Sequence, residues 1–310
     1  MNGILTDSQL AEANPLPKSV FGYDVVDFIG EGAGSRIFAV THSTNKQLYA
    51  LKYVVPKRDK DVRFVEQLET EFEVGKQVSH PGLRRSLDLK ISRTLLTRKA
   101  TEAALVLELF DGVSLERRLP QGLPQMVEVF IKAADALASL HGLGYVHCDL
   151  KPNNILVDAA SRNVKVIDLG QAARIGTAKT RIQGTPDYIA PEQVKCLPVT
   201  AQTDVFNFGA TMYWSLCGQK LPTLFNIKKS ENSFLVDSAM ATPRDCNKMV
   251  PETLSNLVME CVRTNPQKRP ADMAELSRRL EIILHVMRKE RGEGTGAGAN
   301  GAARRSFQVA

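Results

Sequence analysis

The residues best able to do chemistry lie in two short runs. In Val146-His147-Cys148-Asp149-Leu150-Lys151-Pro152-Asn153-Asn154, the Asp149 carboxylate can orient a hydroxyl and accept its proton, and Lys151 can neutralise a phosphoryl group. The Asn154 amide, three residues further on, can ligate a hard cation. A polar break separates this run from Val164-Lys165-Val166-Ile167-Asp168-Leu169-Gly170, which puts a second carboxylate at the end of an apolar strand-like stretch. Mg²⁺ prefers oxygen donors, and Asn154, Asp168 and phosphate oxygens would supply them. Far upstream, Gly30-Glu31-Gly32-Ala33-Gly34-Ser35 is followed by Tyr49-Ala50-Leu51-Lys52. Glycines let backbone N–H groups approach phosphate oxygens without a Cβ in the way. Alone, that run is as compatible with an ordinary hairpin turn, and Lys52 alone with an edge-strand charge. No Gly-Lys-Ser/Thr follows, so it is not a Walker A loop, and a strand-like rather than helical segment comes next, which disfavours a dinucleotide fold.

The elements that must position these groups follow from periodicity. Between residues 21 and 56, β-branched and aromatic runs alternate with glycine-rich and polar breaks, the pattern of antiparallel hairpins. Residues 62–78 read as a helix, and 83–110 return to strands ending in Ala103-Ala104-Leu105-Val106-Leu107. Beyond Gly112 the period changes. Met126, Phe130, Ala133, Leu137 and Leu140 recur at helical spacing, as do Leu254, Leu257, Val258 and Cys261, and then Leu276, Leu280, Ile283, Leu284 and Met287. The fold class expected is α+β and bilobal: a small antiparallel-sheet lobe over about 20–110, a larger helical lobe over about 113–288, and a cleft between them. Residues 1–19 read as a flexible lead, and 289–310 as a disordered Gly/Ala-rich tail.

Bulk properties exclude several classes. With 43% hydrophobic and 24% charged residues among 310, the chain can bury a sizeable core. No apolar run reaches the ~18–20 residues of a membrane span, and the first residues lack a secretory pattern. Five dispersed cysteines without a CxxC pair argue against a disulfide framework or zinc site and fit a reducing cytoplasm. The net charge is +6, with basic residues gathered at Arg84, Arg85, Lys90, Arg93, Arg98 and Lys99 and again at Arg304 and Arg305. Without interleaved aromatics these read as a solvated basic face, and no nucleic-acid partner is expected.

Taken with Gly184-Thr185-Pro186-Asp187-Tyr188-Ile189-Ala190-Pro191-Glu192, these motifs resemble, in order and spacing over roughly 21–286, the eukaryotic-type serine/threonine protein kinases of the protein-kinase superfamily. The resemblance implies ATP and Mg²⁺ as cofactors, with Mn²⁺ as an alternative, and protein substrates bearing serine or threonine. It implies that Asp149 is the catalytic base, that Lys151 meets the γ-phosphate, and that Asn154 and Asp168 hold the metal. Lys52 would hold the α/β-phosphates and pair with a helix glutamate. Family spacing selects Glu71 for that role, with Glu69 and Glu73 close enough to leave the register open. Ile29, Gly30, Glu31, Gly32, Ala33, Gly34, Ser35, Arg36 and Ile37 would cover the nucleotide. The adenine would meet backbone at Glu108 and Phe110, with Leu107 limiting pocket depth and Leu156 beneath the base. Glu192 would clamp Arg269, and Asp204 would brace the catalytic segment.

Four positions depart from the family pattern. Ser35 replaces a loop glycine, Leu169 replaces phenylalanine, and Cys148 replaces the arginine that commonly grips an activation-loop phosphate. Gly75 falls where a bulky apolar residue is usual, and an interior helix glycine predicts a mobile helix. None of the four removes a group the chemistry requires, so an active kinase is favoured over a scaffold-type pseudokinase or a small-molecule kinase. His147 reads as a packing residue and Cys148 as buried filler. Thr177 and Thr180 are placed as phosphosites would be, but with Cys148 in place of the arginine they read first as ordinary loop threonines. Lys179, Arg174 and Arg181 share their loop and so cannot tether it, which predicts basal activity without loop phosphorylation.

Overall fold

The computed structural model describes residues 16–32, 34–160, 163–223 and 240–290. The lead before residue 16, Ala33 and the tail beyond 290 lie outside the described residues. Eleven strands appear among them: β1 (Ser19–Val20), β2 (Tyr23–Gly32), β3 (Ser35–His42), β4 (Leu48–Val54), β5 (Ser86–Arg93), β6 (Ala100–Leu107), β7 (Val113–Ser114), β8 (Tyr145–Val146), β9 (Ile155–Val157), β10 (Val164–Val166) and β11 (Ala173–Arg174). The helices are α1 (Val62–Gly75), α2 (Leu123–Gly142), α3 (Pro191–Val194), α4 (Ala201–Cys217), α5 (Pro243–Cys246), α6 (Glu252–Cys261) and α7 (Met273–Glu290).

The N-lobe is one antiparallel sheet in the order β1-β2-β3-β4-β6-β5. Strand side chains alternate between faces, so the sheet sorts its residues by parity. Phe38, Val40, Leu51, Ala104 and Val106 pack on one face, and Ala50, Val54, Ala103, Leu105 and Leu107 on the other, against Val65 and Leu68 of α1. Lys52 lies between Ala50 and Val54 on β4 and therefore points to the α1 side. Glu71 stands three residues after Leu68, on the stripe of α1 that meets the sheet. Both charges are thus delivered to one place by two different periodicities.

Gly75 does not loosen α1. It is the last residue of the helix, and a Cβ there would lie 2.2 Å from Ser86 Oγ. The missing side chain lets β5 close in, and Ser86 Oγ donates to the Glu71 carbonyl at 2.9 Å. The expectation of a mobile helix is corrected on this point: the glycine permits a contact that pins the end of α1. Val74, its neighbour, joins the same apolar cluster as Leu169.

The C-lobe is helical. The expected stripe on α2 is buried from Met126 to Leu140, and the α6 and α7 stripes pack into the same core. α4 is buried almost throughout, and Phe130 and Phe208 meet edge to face at 5.9 Å. Among the described residues, no helix is long and apolar enough to cross a membrane. Two small ribbons carry the chemistry-bearing turns: β7-β9-β10, and the β8–β11 pair. The β9–β10 ribbon is tied to the sheet side by Arg84 N–H, which donates to the Val166 carbonyl at 3.0 Å.

Candidate active site

Asp204, in the first turn of α4, is fully buried and organises the catalytic segment. Its Oδ2 accepts the His147 N–H at 2.7 Å and lies 2.9 Å from His141 Nε2, and its Oδ1 accepts the Cys148 N–H at 2.9 Å. Burial would raise the Asp204 pKa, but the His141 hydrogen bond and neighbouring donors outweigh it and hold it low. Cys148 sits at φ 65°, a left-handed conformation rare for residues other than glycine. The two hydrogen bonds onto Asp204 hold that turn in place. His147 is buried, its Nδ1 accepts the Asp149 N–H at 3.3 Å, and its Nε2 lies 3.0 Å from the Ile167 carbonyl. It is a linker between the two chemistry-bearing turns. The Cys148 thiol is buried too, and desolvation drives its pKa far upward.

Beyond this turn the polar groups converge. Thr185 Oγ1 donates to Asp149 Oδ1 at 2.7 Å, and Lys151 Nζ donates to Asp149 Oδ2 at 3.0 Å and to Thr185 Oγ1 at 2.8 Å. Asn154 Nδ2 donates to the Asp149 carbonyl at 2.8 Å, which leaves its amide oxygen for another partner. Asp168, at φ 67°, turns its carboxylate toward the same opening. Lys52 Nζ reaches Asp168 Oδ1 and Glu71 Oε2, both at 2.8 Å. Burial would lower the Lys52 pKa, but the Asp168 and Glu71 carboxylates prevail and raise it. For Asp168 burial pushes the other way and the Lys52 ammonium again prevails, holding the carboxyl well below its usual range.

The geometry selects Glu71 over its neighbours. Glu71 is 2% exposed on Lys52, whereas Glu69 pairs with Arg93 and Glu73 with Lys76 at the surface. A second cation touches Glu71: Arg84 Nη2 lies 3.5 Å from its Oε1. The sequence had assigned Arg84 to a solvated basic face. It is 7% exposed, because its backbone bond to β10 draws it beneath the sheet. The rest of that face, from Arg85 to Lys99, is exposed as expected.

Glu31, Gly32, Ser35, Ile37, Lys52, Lys151, Asn154, Asp149 and Asp168 line one cavity of about 720 Å³. Gly32 pairs with Ser35, Glu31 with Arg36 and Gly30 with Ile37 across the β2–β3 turn. Gly34 needs its φ of +82°, and a Cβ there would lie 2.5 Å from the Phe64 ring of α1, so the turn leans on the helix. Ile29 is exposed and Arg36 stacks over Phe38, so neither lines the cavity. Glu108, Phe110 and Leu156 also lie outside it and form a second group. Lys165 Nζ bonds Glu108 Oε1 at 2.8 Å and lies 5.7 Å from the Phe110 ring centroid, and Lys165 pairs with Leu156 across β9–β10. Lys165 was not singled out from sequence. Its strand reads as a plain buried run, and only the fold reveals that a lysine there stitches the two lobes.

The segment after Asp168 is held chiefly by hydrogen bonds to carbonyls, from one amide and one lysine. Gln193 Nε2 donates to the Cys148 carbonyl at 2.7 Å and to the Gln183 carbonyl at 3.1 Å, while its Oε1 accepts from Ala190 N–H and Asn207 Nδ2. Lys179 is half-buried and donates to the Gln171 carbonyl at 3.1 Å, and burial lowers its pKa. Further on, Arg269 makes a two-pronged pair with Glu192 at 2.8 and 3.0 Å. A bilobal fold with this order of lysine, glutamate and paired aspartates now has a match: residues 23–279 fit the family model described as protein kinase domain.

The chain belongs to the protein kinase family. It is 31% identical over 263 residues to the serine/threonine-protein kinase PkaA of Streptomyces coelicolor, covering 82% of this chain and 45% of that protein. It is 35% identical over 167 residues to a putative mitogen-activated protein kinase kinase kinase 7-like protein of Drosophila melanogaster, covering 50% and 41%. It is 27% identical over 267 residues to the DNA damage-responsive serine/threonine-protein kinase RqkA of Deinococcus radiodurans, covering 82% and 38%. The chain spans half or less of the length of these curated relatives. Protein kinases are a class of transferases that use ATP and a divalent metal.

Proposed function

We propose that this kinase is catalytically active and transfers the γ-phosphoryl group of ATP to serine or threonine hydroxyls of protein substrates, with Asp149 as base. The observation that carries the reading is the simultaneous formation of Lys52–Glu71–Asp168 and Asp149–Lys151–Thr185, so that no catalytic group is left to be recruited. Thr185 and Lys151 aim the Asp149 carboxylate, which accepts the acceptor's proton as its oxygen bonds the γ-phosphorus and ADP leaves. Lys52 steadies the α/β-phosphates and Lys151 the transferring group, since both ammonium groups open on one cavity. The Asn154 amide oxygen and the Asp168 carboxylate are hard donors that fit Mg²⁺, and Mn²⁺ would use the same pair. Bound there, the cation neutralises charge on the phosphates. Backbone at Glu108 and Phe110 is assigned to the adenine, because the Glu108 side chain is already committed to Lys165.

Free cysteines throughout the described residues suit a reducing, cytoplasmic setting. Basal turnover without loop phosphorylation is supported by Gln193, which joins the catalytic turn to the loop where an arginine is absent. Radiolabelled ATP with a generic protein acceptor tests the reading. Asp149→Asn should lower turnover about 10²–10⁴-fold while nucleotide affinity is kept. Equal turnover in the two proteins removes Asp149 from its role, and none in either returns the scaffold reading.

A further inference from the structure

The hairpin between β5 and β6 carries two leucines where a turn normally carries polar residues. Its tip reads Arg93-Thr94-Leu95-Leu96-Thr97-Arg98-Lys99, and Leu95 and Leu96 are 96% and 97% exposed. Among the described residues no other large apolar side chain exceeds the 72% of Met249. Small polar residues dominate tight turns, and two adjacent leucines there face water without any gain in core packing. The tip is nonetheless built. The Thr94 N–H donates to the Lys99 carbonyl at 2.9 Å, and the Arg98 N–H donates to the Thr94 carbonyl at 3.1 Å. Arg98 takes a φ of 56° to close the turn, and the Thr94 and Thr97 hydroxyls bond to each other.

Cations surround these leucines. Arg93 and Arg98 each stand two residues from one of them, and Lys99 pairs with Asp59 at 3.0 Å, which ties the link before α1 to the hairpin. That link adds Lys57, Arg58 and Lys60, all exposed. Residues 57–61 and 93–99 hold these six cations against Asp59 and Asp61, and Glu69 of α1 on Arg93 is a third acid. Six less three leaves a collar of net charge +3 around the tip. Among the described residues, Lys57 and Arg98 have no carboxylate within 4.0 Å. From sequence these cations read as a solvated face, because no aromatics interrupt them. The fold instead presents leucines at the centre of the face.

We propose that this hairpin tip docks the protein on an anionic phospholipid surface. Leucine side chains gain by leaving water for the acyl boundary, while lysine and arginine stems reach back and keep their charges among the headgroup phosphates. Two residues of extended strand span about 7 Å, which leaves Arg93 at headgroup level when Leu95 has entered the acyl boundary. One such anchor is weak alone, and a basic collar supplies the second attraction that stable docking needs. Thr94, Thr97 and the cations are the leucines' neighbours along the chain, so the tip offers a point rather than the broad face a protein partner requires. A nucleic acid would take the charge but has no use for the leucines. The contact is peripheral, since no described helix is long and apolar enough to cross a membrane. It goes beyond the phosphotransfer reading and does not depend on it.

The full chain is mixed with vesicles of phosphatidylcholine alone, or of phosphatidylcholine with an equal part of phosphatidylserine, and the bound fraction is read by flotation. The wild type should float with the mixed vesicles and stay behind with the neutral ones. Leu95→Ser/Leu96→Ser should lower its partition coefficient about tenfold or more, with an unchanged thermal midpoint because neither side chain is packed. Lys57→Gln/Arg98→Gln should lower it by about fivefold per cation, and added salt should weaken the wild type in the same direction. A second variant, Leu96→Trp, reads insertion directly: its emission should move to the blue with mixed vesicles and not with neutral ones. Binding that survives loss of both leucines is charge alone and overturns the inference, as does equal binding to the two vesicle types. A wild type that floats with neither, joined by a Leu96→Trp emission that does not move, also overturns it and is the result expected if the leucines seat in a protein. Phosphorylation of a soluble peptide should be equal in wild type and Leu95→Ser/Leu96→Ser. If no peptide is turned over, the kinase reading fails while the vesicle result still decides this one.

Discussion

The two lobes hold their halves of the active site by different physics. On the N-lobe side the joints are charges that meet across elements: Lys52 on β4, Glu71 on α1, Arg84 before β5 and Asp168 after β10. On the C-lobe side the joints are hydrogen bonds to backbone, gathered on Asp204 and on the Gln193 amide. An ion pair tolerates displacement, because Coulomb attraction falls slowly with distance. A backbone hydrogen bond does not, because it weakens steeply with angle. The difference teaches that the base is fixed in a rigid turn while the phosphate-holding lysine sits at an adjustable joint.

Breaking the rigid side should cost most. Asp204→Ala leaves the His147 and Cys148 N–H groups buried without acceptors, and unfolding free energy should drop by about 3–5 kcal/mol in a urea titration. A drop as small as that of a surface substitution would show the anchor to be replaceable. Breaking the adjustable side should spare the fold. Glu71→Gln should reduce kcat/KM about a hundredfold, equal to ~2.7 kcal/mol, with a smaller stability loss than Asp204→Ala. If the order of the two stability losses is reversed, the contrast between the lobes is wrong.

The Lys52–Asp168 pair also sets a pH window. The Asp168 carboxyl titrates below its ordinary value when folded, so its stabilisation is complete above about pH 5 and fades as pH falls through that lowered value. The Lys52 ammonium titrates above its ordinary value, so its share holds below about pH 10 and is lost as pH rises beyond. Thermal midpoints should be flat between these limits, and Asp168→Asn should shallow the acid limb. An unchanged acid limb would mean the pair adds nothing to stability. The smallest expected effect is at the pinned helix end. Gly75→Ala should destabilise by about 1–3 kcal/mol, against the gain that helix propensity alone assigns, and Ser86→Gly should rescue part of it. A stabilised single variant would return the mobile-helix expectation.

Much of this site was legible in the chain because its groups sit in contiguous motifs whose order survives without the fold. Which glutamate Lys52 meets stayed open between Glu71, Glu69 and Glu73, and the fold decides it by turning Glu71 to the sheet and the other two to surface cations. Arg84, Lys165 and Gln193 were not legible. Each acts through contacts across at least ten residues of sequence, and each lies in a run whose local pattern looks ordinary. Arg84 reads as surface charge until the bond to Val166 draws it inward. Gln193 follows the glutamate of a known motif and has no signal of its own.

Cys148 gives the rigid turn a built-in timer. Its thiol is sealed from solvent and far from ionising, whereas Cys246 lies exposed. A thiol-trapping reagent added to the native kinase therefore consumes Cys246 first. It reaches Cys148 only when the catalytic turn has left Asp204. Cys261 is sealed in as well, so the slow labelling of Cys148 itself, located by peptide mass spectrometry with and without ATP, clocks how often the base's own scaffold opens.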